Sequence, residues 1–265
     1  MTPLLQPMID AALRAGEEIE AIYGAGCAAE TKEDGSPVTE ADRRAEAIIL
    51  ADLAAAFPDI PVVAEEEACA GRIPQVGSRF FLVDPLDGTR GFVARNGEFT
   101  VNIALIEDGA PTAGVIYVPD THRLYYGQKG EGAYRRSGSG DAERIRTRAA
   151  PSPGFTVLAS RTTADKTAAK LAHLPIAEFL PSSSSLKFCL LAEGSADIYP
   201  RYGPTMEWDT AAGQAILEAA GGRVMALDGE GKEAGPLRYG KAEGNFENPH
   251  FIAWGSIQAL EENRT

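Results

Sequence analysis

The feature that most constrains the fold is the segment 80–89, with the sequence FFLVDPLDGT. Its first four residues are apolar, which predicts a buried β-strand. The strand runs directly into Asp84, and the following Pro85 fixes its own φ angle and keeps Asp84 extended. We therefore expect the strand to end in a rigid corner on which the carboxylates of Asp84 and Asp87 converge.

The chemistry of this corner suits a hard cation. Gly88 lets an anionic ligand approach the backbone closely, and Thr89 adds a hydroxyl group beside it. Oxygen ligands without histidine or cysteine are typical of Mg²⁺, which keeps several waters and takes up substrate phosphates. A D-P-x-D sequence by itself is more often a solvated turn that only ends a strand. The magnesium hypothesis therefore depends on motifs elsewhere in the chain.

The overall charge limits the classes of partner. The chain of 265 residues is long enough for one large domain or two closely packed halves, and its formal net charge is −13. This charge argues against nucleic acids and anionic membrane surfaces as partners, because both require basic patches. An anionic small molecule would need a bound divalent cation to reverse the local field.

The cellular location is indicated by what the sequence lacks. The three cysteines are far apart and form neither a metal-binding spacing nor a disulfide framework, which is typical of the reducing cytoplasm. We recognise no signal peptide and no apolar run long enough to span a bilayer. We therefore expect a cytoplasmic protein without an integral membrane segment, and a peripheral association with the inner membrane stays open.

The N-terminal part of the sequence predicts helices and a strand that present two further acidic residues. Residues 4–23 show helical periodicity, and Thr39 with Asp42 resembles a capping box that starts a second helix. A short apolar strand over residues 60–64 leads into Glu65. Alternatively, Asp42 is only a first-turn carboxylate favoured by the helix dipole, and Glu65 belongs to a solvated charge run.

The pattern changes after the first 130 residues. Residues 99–127 predict an antiparallel β-meander, and the polar stretch 135–150 is the expected seam between halves formed by residues 1–145 and 146–265. Four serines at 182–185 offer N-caps for a helix over 186–193, in which Lys187 faces a bound anion or lies on the surface. A helix is predicted from Asp209 to residue 220. Asp209 is either an ordinary first-turn carboxylate or a carboxylate directed at the metal corner.

Four motifs together resemble one family. PVTEAD at 37–42, the acidic pair at 65–66, VDPLDGT at 83–89 and Trp-Asp at 208–209 resemble the inositol monophosphatase superfamily of lithium-sensitive, Mg²⁺-dependent phosphatases. The similarity covers nearly the whole chain and implies a layered α/β fold with the layer order α-β-α-β-α. The closer resemblance is to the 3'(2'),5'-bisphosphate nucleotidase branch, through Leu86 in DPLDGT, RNGEFTVNIAL at 95–105, and SSLKF at 184–188 leading to YPR at 199–201.

The resemblance implies roles for the acidic residues. The metal site would consist of the carboxylates of Glu65, Asp84, Asp87 and Asp209 together with the backbone carbonyl of Leu86, and would hold two or three Mg²⁺ ions. Asp84 would bridge the metals. Among the same ligands, Glu65 would also count as a catalytic residue.

The resemblance further implies that Asp42 and Thr89 hold the attacking water. The substrate would be adenosine 3',5'-bisphosphate, which loses its 3'-phosphate to give AMP in sulfur assimilation, with 3'-phosphoadenylyl sulfate as a further substrate. The implied substrate contacts are Leu86, Asp87, Gly88, Thr89, Ser160, Thr163, Ser184, Lys187 and Asp209. Part of this set departs from the branch, because position 163 is Thr where many relatives carry His, and Ser183 replaces a frequent Gly.

Two other functions stay open at this point. A phosphatase of the same superfamily could act on inositol phosphates or fructose 1,6-bisphosphate. An inactive metal- or nucleotide-binding module would need one of the acidic residues to be missing, and none is. The sequence leaves open whether the protein is a monomer or a homodimer.

Overall fold

The computed structural model describes residues 2–26, 29–31, 35, 37–149, 153–159 and 164–256. Its α-helices are α1 Leu5–Ala25, α2 Glu40–Ala56, α3 Glu65–Cys69, α4 Thr89–Val93, α5 Ala164–Lys170, α6 Leu186–Ala192 and α7 Ala211–Ala219. Its strands are β1 Ala29–Thr31, β2 Pro37–Thr39, β3 Val62–Ala64, β4 Arg79–Asp87, β5 Thr100–Glu107, β6 Ala110–Val118, β7 Arg123–Gln128, β8 Gly132–Ser137, β9 Glu143–Ile145, β10 Phe155–Ala159, β11 Ile176–Pro181, β12 Ile198–Arg201, β13 Arg223–Leu227, β14 Glu233–Pro236 and β15 Phe251–Trp254. Among the described helices, none is both long and apolar enough to cross a membrane.

The strands form two large sheets and a short hairpin of β1 and β2. The first sheet has the order β3-β4-β5-β6-β7-β8-β9, and all its pairs are antiparallel except the parallel pair β3–β4. The predicted meander is thus confirmed. The second sheet has the order β11-β10-β12-β15-β13-β14 and mixes parallel and antiparallel pairs.

Strand β4 shows how the layers are built. Phe80 and Leu82 pack into one hydrophobic core, whereas Phe81 and Val83 pack into the other, because successive side chains of a strand point to opposite faces. Helices α1 and α2 cover one face of the first sheet, and α6 and α7 lie between the two sheets. The outer face of the second sheet forms a third core with residues next to α5. The predicted order α-β-α-β-α is therefore confirmed.

Three details of the secondary structure differ from the expectation. Strand β4 does not end at Asp84 but continues to Asp87 through a bulge, which suits Pro85 because this residue cannot donate to the sheet. The expected seam at 135–150 contains the end of β8 and all of β9, whose polar side chains are tolerated near a sheet edge. Strands β11 and β14 lack an apolar alternation because both are mostly exposed edge strands. The division at residue 145 stays a prediction.

Helix α7, which follows Asp209, packs directly on the first sheet at Gly114. A Cβ atom at Gly114 would lie 2.4 Å from the backbone oxygen of Ala212 and 2.9 Å from the Cβ of Ala215. Since these atoms belong to the helix itself, neither can move without shifting α7. The glycine in β6 therefore sets the distance between the helix and the sheet.

We expect Gly114→Ala to lower the free energy of unfolding by about 2 kcal/mol or more, because the added methyl group overpacks this contact. Urea unfolding followed by circular dichroism measures the change. Gly77→Ala is the control, since a Cβ there meets nothing within 4 Å, and we expect it to change the free energy by less than about 1 kcal/mol. Equal values for the two variants would contradict the contact.

Helix α2 holds the start of α3 through a buried carboxylate. Glu46 is 4% exposed, and its two oxygens accept hydrogen bonds from the backbone N–H groups of Glu66 and Glu67 at 2.7 and 3.0 Å. Burial raises the pKa of Glu46 to about 7, and the nearby Glu66 and Glu67 charges add to this. The hydrogen bonds oppose the shift but do not cancel it. This contact fixes the turn that carries Glu65.

The free energy of unfolding should therefore depend on pH through Glu46. Between its ordinary pKa of 4.5 and a folded-state pKa of about 7, the folded protein binds more protons at this group than the unfolded chain does. Stability consequently falls as the pH rises through this window, and after solvent screening we expect a loss of about 2 kcal/mol. In metal-free protein, Glu46→Gln should remove this part of the pH dependence, whereas the exposed Glu40→Gln on the same helix should retain it. Parallel stability curves for Glu46→Gln and the wild type would be the contrary result.

Candidate active site

Four acidic side chains interact at the end of β4. Asp84 is 1% exposed, and its Oδ1 accepts a hydrogen bond of 3.0 Å from the backbone N–H of Leu86. Burial raises the pKa of Asp84 well above its usual range, and the charges of Glu65, Asp87 and Asp209 raise it further. The predicted carboxylates are therefore neighbours, although they come from α3, β4 and the chain before α7.

Asp209 lies in a turn rather than inside a helix, because α7 begins only at Ala211. Its Oδ2 accepts a hydrogen bond of 2.9 Å from the Met206 backbone N–H, which fixes the carboxylate. Desolvation raises the pKa of Asp209 well above its usual range, followed by the charges of Asp87 and Glu65. Asp209 thus lies near Asp87 and lines the same cavity, and its role as a metal ligand stays a prediction.

The donor set fits a hard divalent cation. Asp84 Oδ2 is buried without a hydrogen-bond partner, which is costly unless a cation contacts it. The predicted ligands supply carboxylate and carbonyl oxygens, which Mg²⁺ prefers. Within the described ranges, no three acidic, histidine or cysteine side chains form a closed ligand set. Mutual repulsion of the four carboxylates opposes their closer approach without a cation.

Asp42 and Thr89, the expected holders of water, are in direct contact. Thr89 Oγ1 lies 3.0 Å from Asp42 Oδ1 and 3.1 Å from the Leu86 carbonyl oxygen, so its single proton has two acceptors. Asp42 Oδ2 accepts hydrogen bonds of 2.7 Å from both the backbone N–H and the hydroxyl of Thr39. The predicted capping box is therefore confirmed. Burial raises the pKa of Asp42 despite these hydrogen bonds.

Gly88 shapes the backbone between the carboxylates and Thr89. Its φ angle is 94°, in the left-handed region, and a Cβ atom there would lie 2.7 Å from the Glu98 backbone oxygen. Only glycine satisfies both conditions. The short helix α4 begins at the next residue, so the chain turns sharply around the acidic corner.

The serines at 182–185 do not act as N-caps. Ser185 occupies the N-cap position of α6, but its side chain makes no capping hydrogen bond. Instead, the Ser184 hydroxyl and the Ser185 backbone N–H both donate to Asp87 Oδ2, at 2.7 and 2.6 Å. Ser184 itself has a φ angle of 59°, which is uncommon for a residue with a side chain. The N-cap expectation was wrong because the Ser185 hydroxyl is turned to Thr100 and Asn102 instead of the first N–H groups of α6.

Lys187 is buried beside the carboxylates, and the surface alternative is wrong. Only 5% of the residue is exposed, and its ammonium group donates to the Ser184 carbonyl oxygen at 2.7 Å and lies 4.8 Å from the centroid of the Tyr199 ring. Burial lowers the pKa of Lys187 to about 8, although the Asp87 charge opposes this shift. The same side chain lines a cavity of about 90 Å³ together with Asp87, Ser184, Arg201 and Asp209.

Two predicted site residues lie outside the described part of the chain, and three further residues near the site were not predicted. Ser160 and Thr163, the other predicted nucleotide contacts, lie outside the described residues. Arg201, which lines the cavity, was not predicted as a site residue, although its position at the end of an apolar strand was a usable signal. Thr100 and Asn102 were also missed; they are buried polar residues two positions apart in an otherwise apolar strand.

Comparisons with known proteins agree with this geometry. Residues 1–263 match the Inositol monophosphatase family. The 3'(2'),5'-bisphosphate nucleotidase CysQ of Salmonella typhimurium is 44% identical over 94% of this chain and 98% of its own length. The crystal structure of CysQ from Bacteroides thetaiotaomicron is 40% identical, covers 94% of this chain and 95% of its own, and has a TM-score of 0.75. The structure of the Thermotoga maritima IMPase is 25% identical, covers 99% of this chain and 95% of its own, and has a TM-score of 0.76. The resemblance recognised in the sequence is confirmed, and the chain belongs to the inositol monophosphatase family.

Proposed function

We propose that this protein is a metal-dependent 3'(2'),5'-bisphosphate nucleotidase, which hydrolyses the 3'-phosphate of adenosine 3',5'-bisphosphate to give AMP and phosphate. The observation that carries the proposal is the cavity that is lined by the acidic Asp87 and Asp209 and by the basic Lys187 and Arg201. A ligand with two phosphate groups fits such a site, because cations held by the carboxylates bind one group and the basic side chains bind the other. Relatives from Salmonella typhimurium and Escherichia coli, 44% and 42% identical, carry this activity in their names.

Phosphatases of this family are generally metal dependent. In this chain, Glu65, Asp84, Asp87, Asp209 and the Leu86 carbonyl would hold two or three Mg²⁺ ions, with Asp84 between them. The ions would supply Lewis acidity, lower the pKa of a coordinated water and neutralise charge on the phosphate oxygens. The unpaired Oδ2 of Asp84 supports its place in this set.

The protein's own groups would hold and deprotonate the attacking water. Thr89 donates its proton to Asp42 Oδ1, which leaves the lone pairs of the Thr89 oxygen to accept a hydrogen bond from water. The raised pKa of Asp42 favours this carboxylate as the final proton acceptor. The backbone at Gly88 and Thr89 would orient the phosphate for in-line attack without a covalent enzyme intermediate.

The remaining contacts would choose the nucleotide. Ser184 and Lys187, which line the cavity, would bind the phosphate that is not hydrolysed. Ser160 and Thr163 are the other nucleotide contacts that the resemblance implies. Hydrolysis of 3'-phosphoadenylyl sulfate would use the same contacts. We place the enzyme in the cytoplasm, as a monomer or a homodimer, where its substrate would arise from sulfur assimilation.

The alternative substrates can be separated directly. We expect phosphate release from adenosine 3',5'-bisphosphate in Mg²⁺ to exceed that from inositol 1-phosphate and fructose 1,6-bisphosphate by about 100-fold or more in kcat/KM. Inositol 1-phosphate lacks a second phosphate for Lys187, and fructose 1,6-bisphosphate lacks the nucleoside. Phosphate release on the three substrates, repeated with lithium and without Mg²⁺, is the measurement. A preference for inositol phosphate would favour the other branch, and binding without release on all three would favour an inactive module.

The metal role of Asp87 has its own test. Asp87→Asn should lower kcat by more than about 100-fold, because a neutral amide is a poor ligand for a hard cation. The fold should persist, since the substitution removes a charge that repels Asp84 and Asp209. Asp59→Asn, at an exposed turn, is the control and should behave like the wild type. Near-normal Mg²⁺-dependent turnover of Asp87→Asn would refute the assignment.

A further inference from the structure

Three buried polar residues are linked by hydrogen bonds to the serine segment 182–185, and one of them, Ser185, also lines the cavity. Thr100 and Asn102 on β5 are each 1% exposed, and Ser185 is 2% exposed. The Thr100 hydroxyl lies 2.8 Å from the hydroxyls of Ser184 and Ser185. Ser185 Oγ lies 2.7 Å from the Asn102 side-chain amide. These hydroxyl groups connect the amide to Asp87 through Ser184.

The direction of this chain follows from counting protons. A carboxylate only accepts hydrogen bonds, so the Ser184 hydroxyl donates its one proton to Asp87 Oδ2. The hydrogen bond between Thr100 and Ser184 is therefore donated by Thr100. Ser185 then donates to Thr100, which leaves the Ser185 oxygen as an acceptor facing Asn102. Asn102 must therefore present its NH₂ group to Ser185.

The amide of Asn102 can take the orientation that this direction requires. With its oxygen toward Ser185, the Asn102 Nδ2 group is buried without any acceptor among the described residues. An amide turned by 180° lets Nδ2 donate to Ser185 and places the carbonyl oxygen Oδ1 in the position without a partner. All hydrogen bonds from Asn102 to Asp87 then run in one direction, and such bonds strengthen one another.

We propose that Thr100, Asn102 and Ser185 are positioning residues that act through Ser184 to fix the Asp87 carboxylate for its cation. Oδ2 of Asp87 is held by the Ser184 hydroxyl and by the Ser185 backbone N–H. The other oxygen of the same carboxylate is then presented to the metal in one orientation. The inference rests on the proposed function, in which Asp87 is a metal ligand.

Thr100→Val tests the chain without touching the cavity, because valine has nearly the shape of threonine and lacks only the hydroxyl. Isothermal titration calorimetry of metal-free protein with Mg²⁺ alone should show a dissociation constant about 10-fold higher than that of the wild type. Thr100→Ser, which keeps the hydroxyl, should remain within about twofold of the wild type. Thr156→Val is the matched control, since Thr156 is a buried, hydrogen-bonded strand threonine in the other sheet.

Ser185→Ala provides a second, structurally mild variant, because it removes no capping hydrogen bond and keeps the backbone N–H on Asp87. We expect Mg²⁺ binding to weaken about threefold. The double variant Thr100→Val/Ser185→Ala should bind Mg²⁺ like Thr100→Val alone, because the Ser185 hydroxyl acts only through Thr100. A purely structural role would not produce this non-additivity in Mg²⁺ affinity.

The outcomes separate this inference from the proposed function. If Asp87→Asn loses Mg²⁺ binding while Thr100→Val and Ser185→Ala bind like the wild type, only the positioning chain is wrong. Effects of the two single variants that multiply in the double variant would also overturn the chain. If Asp87→Asn keeps the wild-type Mg²⁺ affinity, the metal role of Asp87 is wrong and the inference fails with it.

Discussion

The structure brings carboxylates of like charge together at a site that is shielded from water. Asp84 is almost fully buried among Glu65, Asp87 and Asp209, an arrangement that opposes folding until a proton or a cation compensates it. The required stability comes from the strand that carries the corner. Because both faces of β4 are covered, its apolar residues anchor the acidic end in two hydrophobic cores at once.

Neutral donors of the chain hold three of the carboxylates. Asp84 and Asp209 each accept a backbone N–H, and Asp87 accepts a hydroxyl and a backbone N–H. Glu65 begins α3, whose start is held by Glu46. Lys187, which lines the same cavity as Asp87 and Asp209, donates to a carbonyl oxygen. Neutral donors orient a carboxylate without cancelling its charge, so the corner keeps its capacity to bind cations.

Local patterns predicted the parts of the fold that local physics determines. The apolar run at Phe80, the capping box at Thr39 and the antiparallel meander all follow from interactions between residues close in sequence or from burial on both faces. The contacts of the serine segment 182–185 could not be predicted in this way, because the Ser184 hydroxyl pairs with Asp87 and Thr100, which are more than 80 residues distant in the sequence. Strands β11 and β14 were missed since exposed edge strands need no apolar alternation.

The same limit explains which part of the candidate site needed the structure. The acidic residues lie in compact motifs, so the family resemblance could name them as candidates. For Lys187 the sequence left two alternatives open, a bound anion or the surface. Only the tertiary fold shows that Tyr199 covers its ammonium group and that Asp87 lines the same cavity. Asp87 and Lys187 carry opposite charges and line one cavity, although they are about 100 residues apart in the sequence. This arrangement favours a ligand with two separate anionic groups. A single phosphate would satisfy the cation site and leave the buried lysine without an anionic partner.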